Sequence, residues 1–390
     1  MPLPTFRRVS LHQRRPAAGP RQQHELVLLD HLRRRGRVNR AELVSATGLS
    51  RATISSLSAD LLARQLIIAV PGRAAGTGRP PEDLALNPDA GLVLGVDFGH
   101  HRVALVVADA AHEVIGSTSR RWDGPTGWDQ RAAVAVAAAE DLLGGHGRGL
   151  AGIGTGVPGG IVNRPAVVDT LTGALTSAFG VPVREDNNTR LAGLAETIWG
   201  AARGLPDVAY IRLSNGVGGA LVLGGRIHAG PRGTAGEFGH ICVDPAGPVC
   251  RCSNHGCLEA HVGLDRLLAA TGAGTVAALH AACEAGDPGA TAAVARAGRL
   301  IGGVLASVAT TVDVAHFVLG GELTALREHL TDPVRRTLRR QVAPGLQDAL
   351  RVEVAALGDY AGALGAIAAV LHDTTVALDL PHVPPLAARS

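Results

Sequence analysis

The 390-residue sequence predicts an α/β protein in two parts, a small and mostly helical head followed by a large body of two related lobes. Three observations carry that expectation. Apolar stripes at helical spacing, punctuated by Gly36 and Gly48, fill residues 21–64. A strand, a Gly turn and a return strand starting at Leu92 recur about 115 residues later in "VAYIRLSNGVGGALVLGGRIHAG". Charge divides along the same line: residues 1–90 carry 14 Arg against 7 acids, a net +7, which leaves −4 for the remainder.

Residues 1–20 mix Arg, Pro and Gln without a period and are expected to form a flexible basic arm. Residues 21–88 make the head. From His24 onward, Leu26, Leu29 and Leu32, with Val27 and Leu28 beside them, give an apolar helical face that ends at Gly36. Asn39 caps a second short helix, 40–47, with Leu43 and Val44 inward. Gly48 permits a tight turn, and Ser50 caps a third helix whose Ile54, Leu57, Leu61 and Leu62 repeat at three and four.

Helix, short helix, Gly turn and helix make a helix-turn-helix, in which the last helix enters the DNA major groove with its first residues at the base edges. The expected DNA contacts are Arg40, Ser50, Arg51, Thr53, Ser55 and Ser56, with Arg51 reading a base or a phosphate. Ser58 is a further polar residue of that helix. Residues 66–70 and 84–86 look like strands flanking the loop "PGRAAGTGRPPED", a wing. Its Arg73 and Arg79 either enter a minor groove or stay on a solvated linker that touches phosphate at most. A protein-contact module is the competing interpretation of the whole head.

Composition bounds the rest. Hydrophobic residues make up 46%, enough to bury a sizeable core across two or three globular units. No apolar run of about 18 residues is expected, and "MPLPTFRRVSLHQRRP" has charge with no apolar stretch behind it, so neither a membrane span nor an export signal is expected and the location is cytoplasmic. A basic head on a mildly acidic body calls for a polyanion partner at the head alone. All five cysteines fall between 242 and 283, and an odd number without an export signal favours metal ligation over disulfides.

The body opens with "GLVLGVDFGHHRVALVVADAAHEVIGSTSRRW", three strands with a Gly turn after the first, then an Ala-rich helix over 129–143. Two such lobes facing across a cleft give the actin-like ATPase arrangement, where Gly turns cradle phosphates from both sides. In chain order, "GVDFGHHRVALVVADAAHEVI", "GIGTGVPGGIV", "LSNGVGGALVLGGRIHAGPRGTAGEFGHICVDPAGPVCRCSNHGCLEA" and "FVLGGEL" resemble the successive signatures of the ROK family (repressor, open reading frame, kinase). The similarity spans about residues 92–372, and with the winged head it resembles the family's repressor branch. The Gly-Glu-x-Gly-His motif followed by Cys-x-Cys-x4-Cys-x-Glu is its most specific part. The domains implied are a ROK body over 91–375, with a first lobe at 91–190 plus a final helix at 358–373 and a second lobe at 191–357, then a tail at 376–390.

The resemblance also exposes departures. The family's first turn is typically Asp-x-Gly-Gly-Thr-Lys, and here it is Asp97-Phe98-Gly99-His100-His101-Arg102, with imidazoles where phosphate would approach the backbone. The second is typically Gly-Thr-Gly and here is Ser214-Asn215-Gly216. The catalytic base lies in an Asn-Asp pair before a helix ending Ala-Glu. An ungapped alignment puts Asn187 and Asn188 on that pair, so that an amide unable to take up a proton replaces the base. A two-residue gap makes Asp186 the base instead. Loss of kinase activity, with no ATP requirement, is the consistent expectation, and a sugar kinase with an accessory head is the alternative.

Sugar binding is the property the resemblance implies is kept. The family's contacts carry over to Asn187, Glu237, His240 and Glu259, with Asn188 beside them. The segment after "GVPGG" runs almost directly into a helix without the usual loop over the sugar, so an oligosaccharide fits as well as a monosaccharide. His240, Cys250, Cys252 and Cys257 form a Cys3His set suited to one structural zinc, with no open position for water. Cys242 and Cys283 are expected in the core. The function implied is a transcriptional repressor of carbohydrate-related genes that binds a double-stranded operator under control of a sugar effector. A homodimer or homotetramer is expected, because one short recognition helix gives too little affinity alone.

Overall fold

The computed structural model describes residues 19–72, 82–122, 124, 126–144, 149–162 and 164–372. Residues 1–18 of the arm expected over 1–20, Arg73, Arg79 and the rest of the wing loop at 73–81, and the tail lie outside these, while Pro20, expected in the arm, is already the first residue of a helix.

The head is built from α1 (Pro20–Arg35), β1 (Val38–Asn39), α2 (Arg40–Thr47), α3 (Arg51–Ala63), β2 (Ile67–Pro71) and β3 (Glu82–Leu86). The caps fall where the side chains dictate. Asn39 accepts from the Glu42 amide at 2.9 Å while the Glu42 carboxylate reaches back to the Asn39 amide, a reciprocal capping box. Gly48 ends α2 at φ 69°, a left-handed turn that needs glycine. Ser50 Oγ accepts from the Thr53 amide at 3.1 Å and starts α3. Leu28, Leu29, Leu32, Leu43, Ile54, Leu57 and Leu61 fill the core, whereas Val27 is 46% exposed. The Arg64 guanidinium donates to Glu25 at 3.1 Å and Asp60 at 3.2 Å, tying α3 to α1.

Two features of the head depart from the sequence expectation. Strand β1 pairs with β3, so the wing strands belong to a three-stranded sheet ordered β1-β3-β2. Ser58 is fully buried, because it falls on the same helical face as Ile54 and Leu61, and its hydroxyl is unavailable to DNA.

The body repeats one sheet twice. The first half runs β4 (Leu92–Phe98), β5 (Arg102–Asp109), β6 (Val114–Arg121), α4 (Trp128–Leu143), β7 (Leu150–Val157), α5 (Gly159–Val162), α6 (Pro165–Phe179), β8 (Val183–Asn187) and α7 (Asn188–Ile198). The second runs β9 (Val208–Leu213), β10 (Val217–Leu223), β11 (Arg226–Ile227), α8 (Leu258–Val262), α9 (Leu264–Thr271), α10 (Val276–Glu284), α11 (Pro288–Val312), β12 (His316–Gly320), α12 (Glu328–Gln341), β13 (Arg351–Val354) and α13 (Ala361–His372). The sheets are ordered β6-β5-β4-β7-β8 and β11-β10-β9-β12-β13. In each, the first three strands pair antiparallel and the last two join in parallel. The lobes are therefore one topology used twice.

Helices α7 and α13 lie together between the sheets, α13 against β4 and β7 and α7 against β9 and β10. The approach of α13 is close enough that a side chain at Gly95 or Gly154 would collide with the carbonyls of Ala363 or Ala366. The last turn of α7 is anchored by the fully buried Glu196, whose carboxylate accepts from the amides of Ala201, Ala356 and Leu357. Helix α11 corrects one expectation: an 18-residue window with mean hydropathy 1.4 gives it the length and composition of a membrane span. It packs instead as the core helix of the second lobe, with Val294, Ile301 and Leu305 buried beside Leu330, Val334 and Leu338 of α12.

Candidate functional site

The candidate site is organised around the junction of β8 and α7. Asn187 closes the strand and caps the helix, its side-chain oxygen accepting from the amides of Thr189 at 2.8 Å and Arg190 at 3.4 Å. That leaves only its NH2 for a ligand, and this group lies against Gly159 of the "GVPGG" turn. Asn188 is buried and donates from Nδ2 to Oδ1 of Asp97 at 3.1 Å. Burial raises the Asp97 carboxyl above the ordinary carboxylate range, against the opposing pull of Arg212 and the Asn188 bond. Asp186 is bound by the Arg190 guanidinium, with Nε at 2.8 Å, and Arg190 also donates to the Gly233 carbonyl at 2.9 Å.

Cationic side chains lie at both of the Gly turns, Gly99 and Gly216. At the first, Arg131 is sandwiched between Trp122 and Trp128, 4.7 and 4.4 Å from the ring centres, and donates to the Gly99 carbonyl. Arg102 is ion-paired with Asp359. Partial burial, and then the charges of Arg212 and Arg251, hold His100 below its usual range. At the second, the Arg251 guanidinium lies on Gly216: a Cβ there would be 2.7 Å from its Nη2.

The same guanidinium reaches Glu259. Arg251 Nη2 is 2.6 Å from Oε2 of Glu259, which also accepts from the Val217 amide at 2.8 Å. Glu259 is buried in the first turn of α8, held at that place because Cys257 is the residue that starts the helix. The carboxylate expected to face sugar hydroxyls is thus already paired. Glu237 is half-buried and has no side-chain partner among the described residues. No hydrogen bond among them joins the Asn187–Asn188 pair to Glu237 or Glu259.

His240, Cys250, Cys252 and Cys257 come together as a cluster that could hold a metal ion, their ligand atoms all within 4.8 Å of one another. A tetrahedral zinc with metal–sulfur bonds of about 2.3 Å separates its sulfurs by about 3.8 Å. Cys252 and Cys257 are 3.7 Å apart, as are Cys250 Sγ and His240 Nδ1, so the donor set fits. Burial and the two neighbouring sulfurs push the Cys257 thiol up to about 12, and burial raises Cys250 as well. The loop is a tight hairpin in which the Ser253 amide donates to the Cys250 carbonyl at 2.9 Å, and Ser253 sits at φ 72°. Cys283 is buried in the core of the second lobe as expected, but Cys242 is an exposed free thiol: its backbone pairs with that of Cys257 in an isolated antiparallel contact, which leaves its side chain on the surface.

In the head, Arg51, Ser55 and Ser56 are exposed along α3, and Arg51 makes no ion pair among the described residues. Ser50 and Thr53 are occupied with each other, Oγ to Oγ1 at 2.8 Å, as part of the cap. Arg40 is half-exposed at the start of α2.

The ROK family model matches residues 93–373. The chain belongs to the ROK family. Its relatives include a xylose repressor of Bacillus spizizenii, 24% identical, which aligns over 88% of this chain and 93% of its own length. Among solved structures, a ROK family transcriptional regulator, homologous to the Escherichia coli MLC protein, superposes with a TM-score of 0.77 at 23% identity, covering 92% of this chain and 98% of that one. A ROK hexokinase from Thermus thermophilus superposes with a TM-score of 0.61 at 34% identity over 71% of this chain and 96% of its own. The regulator's match thus extends over much more of the chain than the kinase's.

Sequence reasoning missed three members of the site. Asp97 was visible as the acid of the first turn motif, but not its bond to Asn188. Arg251 lies between two cysteines, where the motif spacing marks the thiols and not the residue between them. Arg190 carried no local signal.

Proposed function

We propose that this ROK protein is a sugar-responsive transcriptional repressor whose kinase-like body recognises its ligand without phosphorylating it. The observation that carries the proposal is the Asn188–Asp97 bond: at the position of the family's base stands an amide that donates a hydrogen bond and cannot accept the proton of an attacking hydroxyl. Asp186, the other candidate, is bound by Arg190. The second turn supports the same view, since the Arg251 guanidinium covers the backbone of Gly216, where phosphate would approach, and is already committed to Glu259.

Sugar hydroxyls would be met by Glu237, by the free NH2 of Asn187 and by Glu259 once Arg251 releases it. Asn188 would act behind them by holding Asp97. A zinc ion held by His240, Cys250, Cys252 and Cys257 would supply structure and no reaction, because four protein ligands fill a tetrahedron. His240 would then orient the segment carrying Glu237 rather than touch the sugar. In the head, Arg51, Ser55 and Ser56, with Arg40 and the wing's Arg73 and Arg79, would contact a double-stranded operator, while Ser50 and Thr53 hold the helix end. The division into arm, head over 21–88, two-lobed body over 91–375 and tail is part of this proposal, as is pairing of heads on a two-fold operator by a homodimer or homotetramer. Ligand would act by shifting the lobes and so the spacing of the heads.

The test uses the full chain and a labelled fragment of its own upstream region. Retarded migration that weakens steeply as salt rises, and changes on adding one member of a panel of mono- and oligosaccharides, is the expected result. Absence of DNA binding, or transfer of phosphate from ATP to any hexose of the panel, would overturn the proposal.

A further inference from the structure

Outside the cleft, three side chains of the second lobe converge on one point. His280 and Glu284 are four residues apart on α10, and His329 is the second residue of α12. His329 Nε2 is 2.6 Å and His280 Nε2 is 4.0 Å from the same oxygen, Oε1 of Glu284. The two rings stand edge to face with centroids 5.8 Å apart, and all three ligand atoms lie within 4.8 Å of one another.

An ion pair between His329 and Glu284 explains two of these groups and leaves the third without a reason to be there. A cation at the centre of the three uses all of them. The backbones that present them are fixed: Leu279 and Cys283 on α10 and Leu330 on α12 are buried in the lobe core, each next to a donor in sequence. The helix α10 packs on the turn Glu322–Leu326 that leads into α12. Both imidazoles are about a quarter exposed and the carboxylate is 63% exposed, so an ion can enter from solvent.

We infer that His280, Glu284 and His329 form a second metal site, for a divalent late transition ion such as Zn2+, which clamps α10 to α12. Two imidazoles and one carboxylate suit Zn2+, Co2+, Ni2+ or Cu2+, whereas Mg2+ and Ca2+ call for oxygen donors. Three protein ligands leave coordination positions open to water. The site shares no residue with the cysteine cluster and does not depend on the repressor proposal.

Cobalt is the probe that separates the two sites, because thiolate-bound Co2+ absorbs strongly in the near ultraviolet and imidazole- or carboxylate-bound Co2+ does not. Titration of the metal-free full chain is expected to take up one equivalent with that absorption and a second without it. In His280→Gln/His329→Gln the second equivalent is lost and the thiolate band stays, which also shows that the variant is folded. His280→Gln alone keeps the ion pair and is expected to lose the second equivalent too. Saturation of the wild type at one equivalent, or a silent equivalent that persists in either variant, would overturn the assignment.

Discussion

Asn188 and Asp97, 91 residues apart in sequence, are joined by a 3.1 Å hydrogen bond at the buried junction of α7, β4 and the first turn of α13. Converting the amide to an acid sets two carboxylates against each other in a site where burial already raises Asp97. Asn188→Asp is expected to destabilise the protein by on the order of 2–4 kcal/mol at pH 7 without restoring phosphoryl transfer. A carboxyl whose folded pKa is raised binds its proton more readily folded than unfolded, so stability falls as pH rises from the ordinary carboxylate range through the raised value. The deficit relative to wild type should therefore shrink on acidification. Urea melts of both proteins at several pH values check this, and a deficit that grows toward acid would contradict it.

Under the proposed function, Arg251 would compete with the sugar for Glu259, to which it is bonded at 2.6 Å. Arg251→Gln keeps length but removes the ion pair, and is expected to tighten binding of a neutral sugar about 3- to 10-fold while Glu259→Ala abolishes it. Calorimetric titration with the sugar selected by the binding panel reads both effects.

Ser253 occupies a left-handed position at φ 72°, a conformation that favours glycine. Ser253→Gly is expected to raise stability by about 0.5–1 kcal/mol, with the zinc content unchanged. A lower melting temperature would show that the serine is anchored by something other than its backbone.

Loss of a ligand of the proposed zinc should be structural in its effect. Cys250→Ser is expected to lose the thiolate-bound equivalent, lower the melting temperature by several degrees, roughly 5 °C, and erase the sugar-induced shift because Glu259 follows directly on the hairpin. Differential scanning fluorimetry with metal analysis measures all three.

Arg51 is exposed at the start of α3 and makes no ion pair among the described residues. Arg51→Ala should weaken operator binding about 10- to 100-fold. A salt slope reduced by about one marks a lost phosphate contact, and an unchanged slope marks a lost base contact.

Much of the head was legible because its signals are local. Asn39, Gly48 and Ser50 each act within three residues of themselves, and the apolar spacing between them leaves one helical solution. Strand β1 was not, since two residues carry no period. In the body the repeated strand pattern and the cysteine spacing announced the two sheets and the metal cluster. Nothing in the chain order announced that Arg251 would cover Gly216 and hold Glu259, because that depends on how the hairpin folds back over β10. His329 lies 45 residues from Glu284, so the His280–Glu284–His329 group has no sequence signature. Ser58 and Cys242 failed for the same reason: polarity and residue type set an average burial, and packing decides the individual case.

The close seat of α13 on β4 and β7 has a mechanical consequence. Backbone pressed on backbone at Gly95 and Gly154 leaves no room for any side chain at either position, so α13, the last helix of the chain order described, is keyed to the first sheet as tightly as a strand is to its neighbour. Asp97 lies under the first turn of the same helix, where a Cβ at Gly362 would meet its carboxylate. The Asn188–Asp97 contact therefore shares its seat with the element that joins the two sheets.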